Sequence, residues 1–146
     1  MKLPEGLDLD PRAIGRGALL GLAVIAPVSL ADAVLSAVDG FDEETWVFLL
    51  FIVILGAFFL AGFQAARAAH EAPYTHGALG GLGAFALWLP LRVVTRAVIG
   101  ERVLGRPGDG AFEIAVALLT VALLAMSFGI LGGLASSRGS TSPSRR

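Results

Sequence analysis

The chain has 146 residues, of which 55% are hydrophobic and 16% charged, and its mean hydropathy is +0.77. Soluble domains contain about 45–50% apolar and about 25% charged residues, so this composition excludes an ordinary water-soluble domain. The formal net charge of −1 provides no basic surface for nucleic acid. Because the chain has no cysteine, disulfides and thiolate metal sites are excluded as well. A membrane is the predicted environment.

Four apolar stretches predict four transmembrane helices, at about Gly17–Val38, Trp46–Ala66, Gly77–Ile99 and Ala111–Ala135. Each is long enough, because about 20 helical residues cross a hydrocarbon core of about 30 Å. The stretches lack the alternation of barrel strands, so helices must satisfy their backbone groups in lipid. Residues 1–16 are predicted to form a cytoplasmic tail, and the Ser- and Arg-rich residues 136–146 a disordered one.

The distribution of basic residues predicts that both termini are cytoplasmic. In that orientation the inner side holds seven Lys and Arg residues and the outer side four. The first outer loop, residues 39–44, has none, which favours the same orientation. Ten of the eleven basic residues are Arg, and with the abundant Ala and Gly this favours a bacterial cytoplasmic membrane.

A repeat is visible when the sequence is shifted by 60 residues, because residues 17–26 and 77–86 then share six identities in ten positions. A weaker match at a shift of 71 places Gly62 over Gly133 and Arg67 over Arg138. We therefore predict an all-α, integral-membrane four-helix bundle built from two tandem hairpins. Repeats with two spans each enter the membrane the same way round, so a pseudo-twofold axis along the membrane normal is expected to relate them. A transporter-like half-module and the duplication of a stable hairpin are both compatible with this repeat, and we favour the second.

Three pairs of glycines have the spacing of helix-packing motifs: Gly17 and Gly21, Gly77 and Gly81, and Gly129 and Gly133. Small residues let helix backbones approach closely, which matters in lipid because the hydrophobic force between helices is weak there. The pairs could serve internal packing or self-association. We favour internal packing.

Asp32 is the most informative single residue, because a carboxylate that faced lipid would cost several kcal/mol. It is expected about 9 Å inside the outer end of the first helix and on its inward face. The repeat sets Arg92 at a similar depth, so we predict an intramembrane ion pair between them, with Arg96 and Glu113 joining the cluster. Alternatives are an Arg92 side chain that snorkels to the headgroups and a relay for protons or ions.

Helix four carries a thin polar stripe, since Glu113, Thr120 and Ser127 recur every seven residues. Hydroxyls in such stripes usually join helices, and a water-lined path is the less favoured interpretation. Pro27 and Pro90 lie inside predicted helices and are expected to kink or locally open them.

The inner loop brings His70, Glu71 and His76 close in sequence, but Pro73 separates them, so they do not form the ligand face of a zinc helix. No metal and no cofactor are predicted. The sequence also lacks a nucleophile–base pair and paired catalytic carboxylates, so an enzyme is not predicted.

Residues 61–67, Ala-Gly-Phe-Gln-Ala-Ala-Arg, are followed by a short loop and by His-Gly-Ala-Leu-Gly-Gly-Leu at residues 76–82. This segment resembles the junction between the second and third spans in small four-span bacterial membrane proteins typified by the YrzE-like family. The resemblance covers the two-hairpin layout and the motif between about Ala61 and Gly83. It implies the architecture alone, because that family has no established activity.

The expected function is that of a non-enzymatic structural or accessory membrane component. Its short loops leave little surface for soluble partners, so its partners would be the lipid bilayer and either a second copy or another membrane protein. The alternative is a small homo-oligomeric transporter or channel in which Asp32, Arg92 and Glu113 line a path at subunit interfaces. A third interpretation is a lipid sensor that uses Arg92 and Arg96.

Overall fold

A computed structural model of the chain describes residues 9–35, 43–69, 72–99 and 110–139. These residues form four α-helices: α1 Pro11–Leu35, α2 Glu43–Ala68, α3 Pro73–Ile99 and α4 Ala111–Gly139. All four helices are long and apolar enough to cross a membrane. The predicted all-helical architecture of four such helices is therefore confirmed.

The first helix begins six residues earlier than the apolar run that predicted it. Asp10 caps it, because its Oδ1 accepts the backbone N–H groups of Arg12 at 2.9 Å and Ala13 at 3.3 Å. Pro11 occupies the first helical position, where its missing N–H has no cost. Residues 11–16 are thus helical rather than part of a tail.

The other helices also extend beyond the predicted apolar runs. Ala72 adopts a left-handed φ of 48° in the turn after α2, and Pro73 then starts α3. At the other end of the chain α4 continues to Gly139, so the prediction of disorder from Ser136 is wrong for residues 136–139. The hydroxyl of Ser136 donates to the carbonyl of Gly133 at 2.8 Å, within the helix. A helix can end outside the apolar run, which is why composition misplaced these boundaries.

The four helices form a bundle in which α2 and α3 touch each other and also touch both outer helices, α1 and α4. Helices α1 and α3 run in the same direction, since Asp10 lies near His76 at one end and Ser29 near Trp88 at the other. Within the described part of the chain, α1 makes no contact with α4. A twofold axis along the membrane normal would make the α2–α3 contact equivalent to an α1–α4 contact. The contact pattern therefore departs from the predicted pseudo-twofold.

Glycine and alanine bring the helix backbones together in the half of the bundle that is predicted to be inner. Gly17 and Gly21 of α1 face small residues of α2, namely Ala57, Ala61 and Ala65. Gly77 and Gly81 of α3 face small residues of α4, namely Ala125, Gly129 and Gly133. All six predicted packing glycines lie at helix contacts within one chain.

The outward faces of the bundle are apolar. Large hydrophobic side chains are exposed on every helix, among them Leu19, Phe48, Leu87 and Phe112. The fully buried side chains are few, with Phe58 and Ile25 the largest apolar ones among the described residues. Such an exterior fits a lipid environment, because exposed apolar patches of this extent are rare on soluble monomers.

Candidate functional site

Five side chains meet at the end of the bundle that is predicted to be outer, and together we call them the outer polar cluster: Ser29, Asp32, Trp46, Trp88 and Arg92. The indole Nε1 of Trp46 donates to Oδ1 of Asp32 at 3.2 Å. The indole Nε1 of Trp88 donates to Oγ of Ser29 at 3.0 Å. The guanidinium carbon of Arg92 lies 5.1 Å from the centroid of the Trp88 ring. The cluster thus joins α1, α2 and α3.

Helical spacing places these groups on shared faces. Ser29 and Asp32 are three residues apart on α1, and Trp88 and Arg92 are four apart on α3, so each pair lies on one face of its helix. Trp88 is 6% exposed, and a buried indole N–H needs the acceptor that Ser29 supplies. The indole ring is therefore fixed against α1, and its face attracts the Arg92 cation.

An open cavity of about 210 Å³ lies beside the cluster. Its polar lining is Asp32 and Arg92, and the rest is apolar or aromatic: Leu50, Phe51, Ile54, Leu55, Phe58, Trp88, Val121 and Leu124. The lining runs along α2 from Leu50 to Phe58, about 12 Å at 1.5 Å per residue. The cavity is thus an apolar slot with one anion and one cation in its lining.

Two further cavities adjoin Arg92. One of about 140 Å³ lies between α3 and α4 and is lined by Trp88, Leu89 and Leu118 among others. A small one of about 10 Å³ is lined by Ser29, Asp32 and Thr95 as well as Arg92. Arg92 therefore lies where all three cavities come together.

The structure brings two of the four residues of the predicted polar cluster together. Asp32 and Arg92 are half-buried and line the same cavity. Glu113 lies elsewhere, because it is exposed in the first turn of α4 and its Oε2 accepts the N–H of Gly110 at 2.9 Å. The side chain of Arg96 lies outside the described residues. The ion pair between Asp32 and Arg92 stays a prediction.

Asp32 lies near the end of α1, three residues before Leu35, and its hydrogen bond with Trp46 sets it at the level of the first turn of α2. It is also the last residue of the apolar stretch Pro11–Asp32. A carboxylate at this level is close to the predicted headgroup region, where its charge costs less.

The polar stripe of α4 points away from the other helices. Thr120 and Ser127 are exposed, and each hydroxyl donates to a carbonyl of its own helix, Val116 and Leu123, at 2.8 Å. Among the described residues, these two hydroxyls therefore do not join α4 to another helix of this chain. Outward hydroxyls satisfied in this way can face lipid at little cost.

Sequence reasoning missed the two tryptophans as members of the site. It named neither Trp46 nor Trp88 as a member of a site. The available signal was the need of each indole N–H for an acceptor, together with the short sequence separation between Asp32 and Trp46. The pairing of Trp88 with Ser29 left no such signal, because it depends on α1 and α3 being neighbours.

A second polar contact closes the opposite end of the bundle. His76 is 1% exposed, and its Nε2 accepts the backbone N–H of Asp10 at 2.9 Å. Its Nδ1 lies 3.1 Å from the carbonyl oxygen of Ala72, so Nδ1 carries the proton and donates. His76 thus ties the start of α1 to the start of α3. Groups of His, Asp and Glu suited to a metal are not found among the described residues, and His70 and Glu71 lie outside them.

Replacing His76 by alanine is expected to destabilise this end by about 1–3 kcal/mol, because the N–H of Asp10 loses its acceptor in a part-buried position. Tyr74→Ala is the matched control, since Tyr74 is 49% exposed in the first turn of the same helix. Thermal unfolding in mild detergent should show a lower Tm for His76→Ala and little change for Tyr74→Ala. Equal Tm values would contradict the role assigned to His76.

Comparison with known proteins gives no relative for this chain. No protein-family model, curated protein or solved structure matches it. The features of the molecule that bear on its function are therefore the cavity, the outer polar cluster and the outward faces of the helices.

Proposed function

We propose that the chain is a non-enzymatic structural or accessory component of a bacterial cytoplasmic membrane that binds another membrane protein through the outward face of α4. The observation that carries this proposal is how little of α4 the rest of the chain covers. Of the apolar window of α4, 11% is buried, compared with 28–39% in the other three helices. Helix α4 thus offers the largest uncovered surface for a partner helix.

The residues on this face have the spacing of a helix-packing seam. Phe112, Val116, Leu119 and Leu123 are all exposed and follow one another at intervals of four, three and four residues. This is the interval pattern by which two helices interlock their side chains. Thr120 lies along the edge of the seam, and its oxygen keeps a lone pair for a partner after donating its own proton.

Site-specific photo-crosslinking in the native membrane tests this proposal. A benzophenone amino acid at Leu119 or Leu123 is expected to give one discrete adduct with a protein. The matched control places the same residue at Leu19 or Leu20, which are similarly exposed on α1. Adducts of the same kind and yield from both helices would contradict a specific role for α4.

The glycine contacts support two tandem hairpins that lie side by side. The residues that meet Gly17 are Ala61 and Ala65, and the residues that meet Gly77 are Gly129 and Gly133. The first helices of the two hairpins, α1 and α3, then correspond at the predicted shift of 60 residues. The second helices, α2 and α4, correspond at a shift of 68 residues instead of the predicted 71. We propose that a lateral displacement relates the two copies, with a longer connection in the second.

Both termini are proposed to lie in the cytoplasm. Support comes from the seven basic residues on that side against four on the other, and from Trp46 at the edge of the second apolar span. The resemblance to the YrzE-like family implies the same four-span layout. Membership of that family stays a prediction.

The alternative is a small homo-oligomeric transporter or channel. What favours it is that Asp32 and Arg92 share a cavity. What weighs against it is that Glu113 binds the N–H of Gly110 at the start of α4 and does not line that cavity, which ends at the fully buried Phe58. Beyond Phe58, toward the predicted inner end, α2 and α4 approach each other at Gly62 and Gly129, whose backbones are in contact. A path through one copy would have to open this contact.

A further inference from the structure

We propose that residues 111–124 of α4 form a lid, which pivots on the glycine contacts in the second half of α4 and opens or closes the two larger cavities beside Trp88 and Arg92. We call this segment the α4 lid. Its motion belongs to the chain itself and does not depend on the partner proposed for the outward face of α4. Three observations carry it: the burial along α4, the cavities on both sides of the lid and the contacts that hold the rest of the helix.

Burial divides α4 into two halves. None of residues 111–124 is buried. The buried residues of α4 within the described part of the chain all lie beyond the lid: Ala125, Gly129, Gly132 and Gly133. The side-chain hydrogen bonds of Glu113 and Thr120 in the lid are made with backbone groups of Gly110 and Val116, in or next to the same helix. A segment with so few buried contacts is of the kind that opens most easily.

Each side of the α4 lid faces a cavity. The 210 Å³ cavity separates it from α2, and the lid contributes Val121 and Leu124 to the lining. The 140 Å³ cavity separates it from α3, and the lid contributes Val121 again together with Ala117 and its neighbours. Side chains that line a void lose packing contacts, because protein interiors are otherwise close-packed. A movement of the lid toward α2 and α3 recovers those contacts.

The second half of α4 supplies the pivot. The backbone of Gly129 lies against Gly62 of α2 and Gly77 of α3, and the carbonyl of Ala125 lies against Gly81. Because backbone atoms meet there, this part of α4 cannot shift unless two other helices move. Glycine is also a poor helix former, and three glycines at 129, 132 and 133 weaken the helix at this point.

The length of the lid amplifies a small rotation. At 1.5 Å per residue, Val116 lies about 20 Å along the helix from Gly129. A slight change of angle at the glycines therefore displaces the lid by several ångströms over the cavities. Trp88 and Arg92 line both cavities, so the position of the lid sets how far an apolar molecule in the bilayer can reach this part of the outer polar cluster.

Distances between spin labels test the proposal, measured by pulsed electron paramagnetic resonance on the full chain in lipid nanodiscs. The chain has no cysteine, so two introduced cysteines carry the only labels. The lid pair is Val116 and Leu30, and the matched pair in the other half of the bundle is Leu131 and Leu19, all of them exposed. Helices α1 and α4 lie on opposite sides of α2 and α3, so the distance between them follows the lid directly.

We expect two distances for the lid pair, at least about 2 Å apart, because helix axes approach to between about 8 and 10 Å depending on the side chains between them. The matched pair is expected to give one narrow distribution. Distributions of equal width from the two pairs, whether narrow or broad, would overturn the proposal.

A matched pair of variants connects the motion to the cavity. Ala117→Phe places a ring in the 140 Å³ cavity, whereas Ala115→Phe makes the same change at an exposed residue outside the lining of both cavities. The first variant should hold the lid away from α3 and shift the lid pair toward the longer distance. The second should leave both distances populated. The same distribution in both variants would contradict the proposal.

Discussion

Replacing Gly129 by alanine is expected to disrupt the bundle, with a loss of about 3 kcal/mol or more. A Cβ at this position would collide with the carbonyl oxygen of Gly77, and the backbone of Gly129 already touches Gly62 on α2. Because the obstructing atoms belong to backbone, relief requires two helices to move apart. The measurement is the Tm and the fraction of monodisperse protein in mild detergent.

Gly56→Ala is the matched control for this experiment. Gly56 lies inside α2, but a Cβ added there would meet no atom within 4 Å. Alanine should therefore be neutral or stabilise the helix by about 0.5–1 kcal/mol, because it restricts the unfolded chain. If Gly129→Ala and Gly56→Ala behaved alike, glycine packing would not be what holds α4 to the bundle.

Replacing Trp88 by alanine is expected to cost about 3–5 kcal/mol, the usual range for a buried tryptophan. Three contacts are lost at once: the hydrogen bond to Ser29, the ring contact with Phe85 at 6.0 Å between centroids, and the surface on which Arg92 lies. Chemical unfolding in detergent gives the loss. Leu87→Ala should cost far less, since Leu87 is 39% exposed on the adjacent outward face.

A double-mutant cycle checks the part of this loss that involves Arg92. In an Arg92→Ala background, Trp88→Ala should cost about 0.5–2 kcal/mol less than it does alone, since the cation–π contact is already gone. Strict additivity would mean that the indole ring does not hold the guanidinium.

The two ends of the bundle differ in how they are built, and this difference positions the site. At the predicted inner end, Gly17, Gly77 and Gly129 bring backbones into contact and leave no space. At the predicted outer end, the large side chains of Trp46 and Trp88 join the helices through hydrogen bonds, and three cavities lie beside Trp88. A ligand site is thus expected only where the large side chains are.

Composition was sufficient to predict the four helices, because a run of about 20 apolar residues has few alternatives in lipid. It could not place the helix ends at Pro11 and Gly139, since a helix continues past the apolar run wherever a cap or a local hydrogen bond supports it. The pairing of Gly17 with Gly21 and of Gly77 with Gly81 was visible as spacing. Which helix each pair faces depends on the arrangement of the bundle, and spacing does not contain that information.

The candidate site was predictable in part. Asp32 and Arg92 stood out because charges inside apolar runs are rare and the repeat placed them at a similar depth. Glu113 was assigned to the same cluster on depth alone, but it faces outward and binds the N–H of Gly110. Trp88 was missed because its partner, Ser29, belongs to a helix whose neighbours the sequence does not specify.

We propose that this protein works by binding another membrane protein. The most direct test is to purify the native-level protein from its own membrane after crosslinking and to identify every co-purifying chain by mass spectrometry. We predict a stoichiometric foreign membrane protein, which is lost when Leu119 and Leu123 of α4 are both replaced by alanine. Recovery of the chain alone, as a discrete oligomer, would contradict this account and favour transport, to be measured as flux into liposomes with Asp32→Asn as the control.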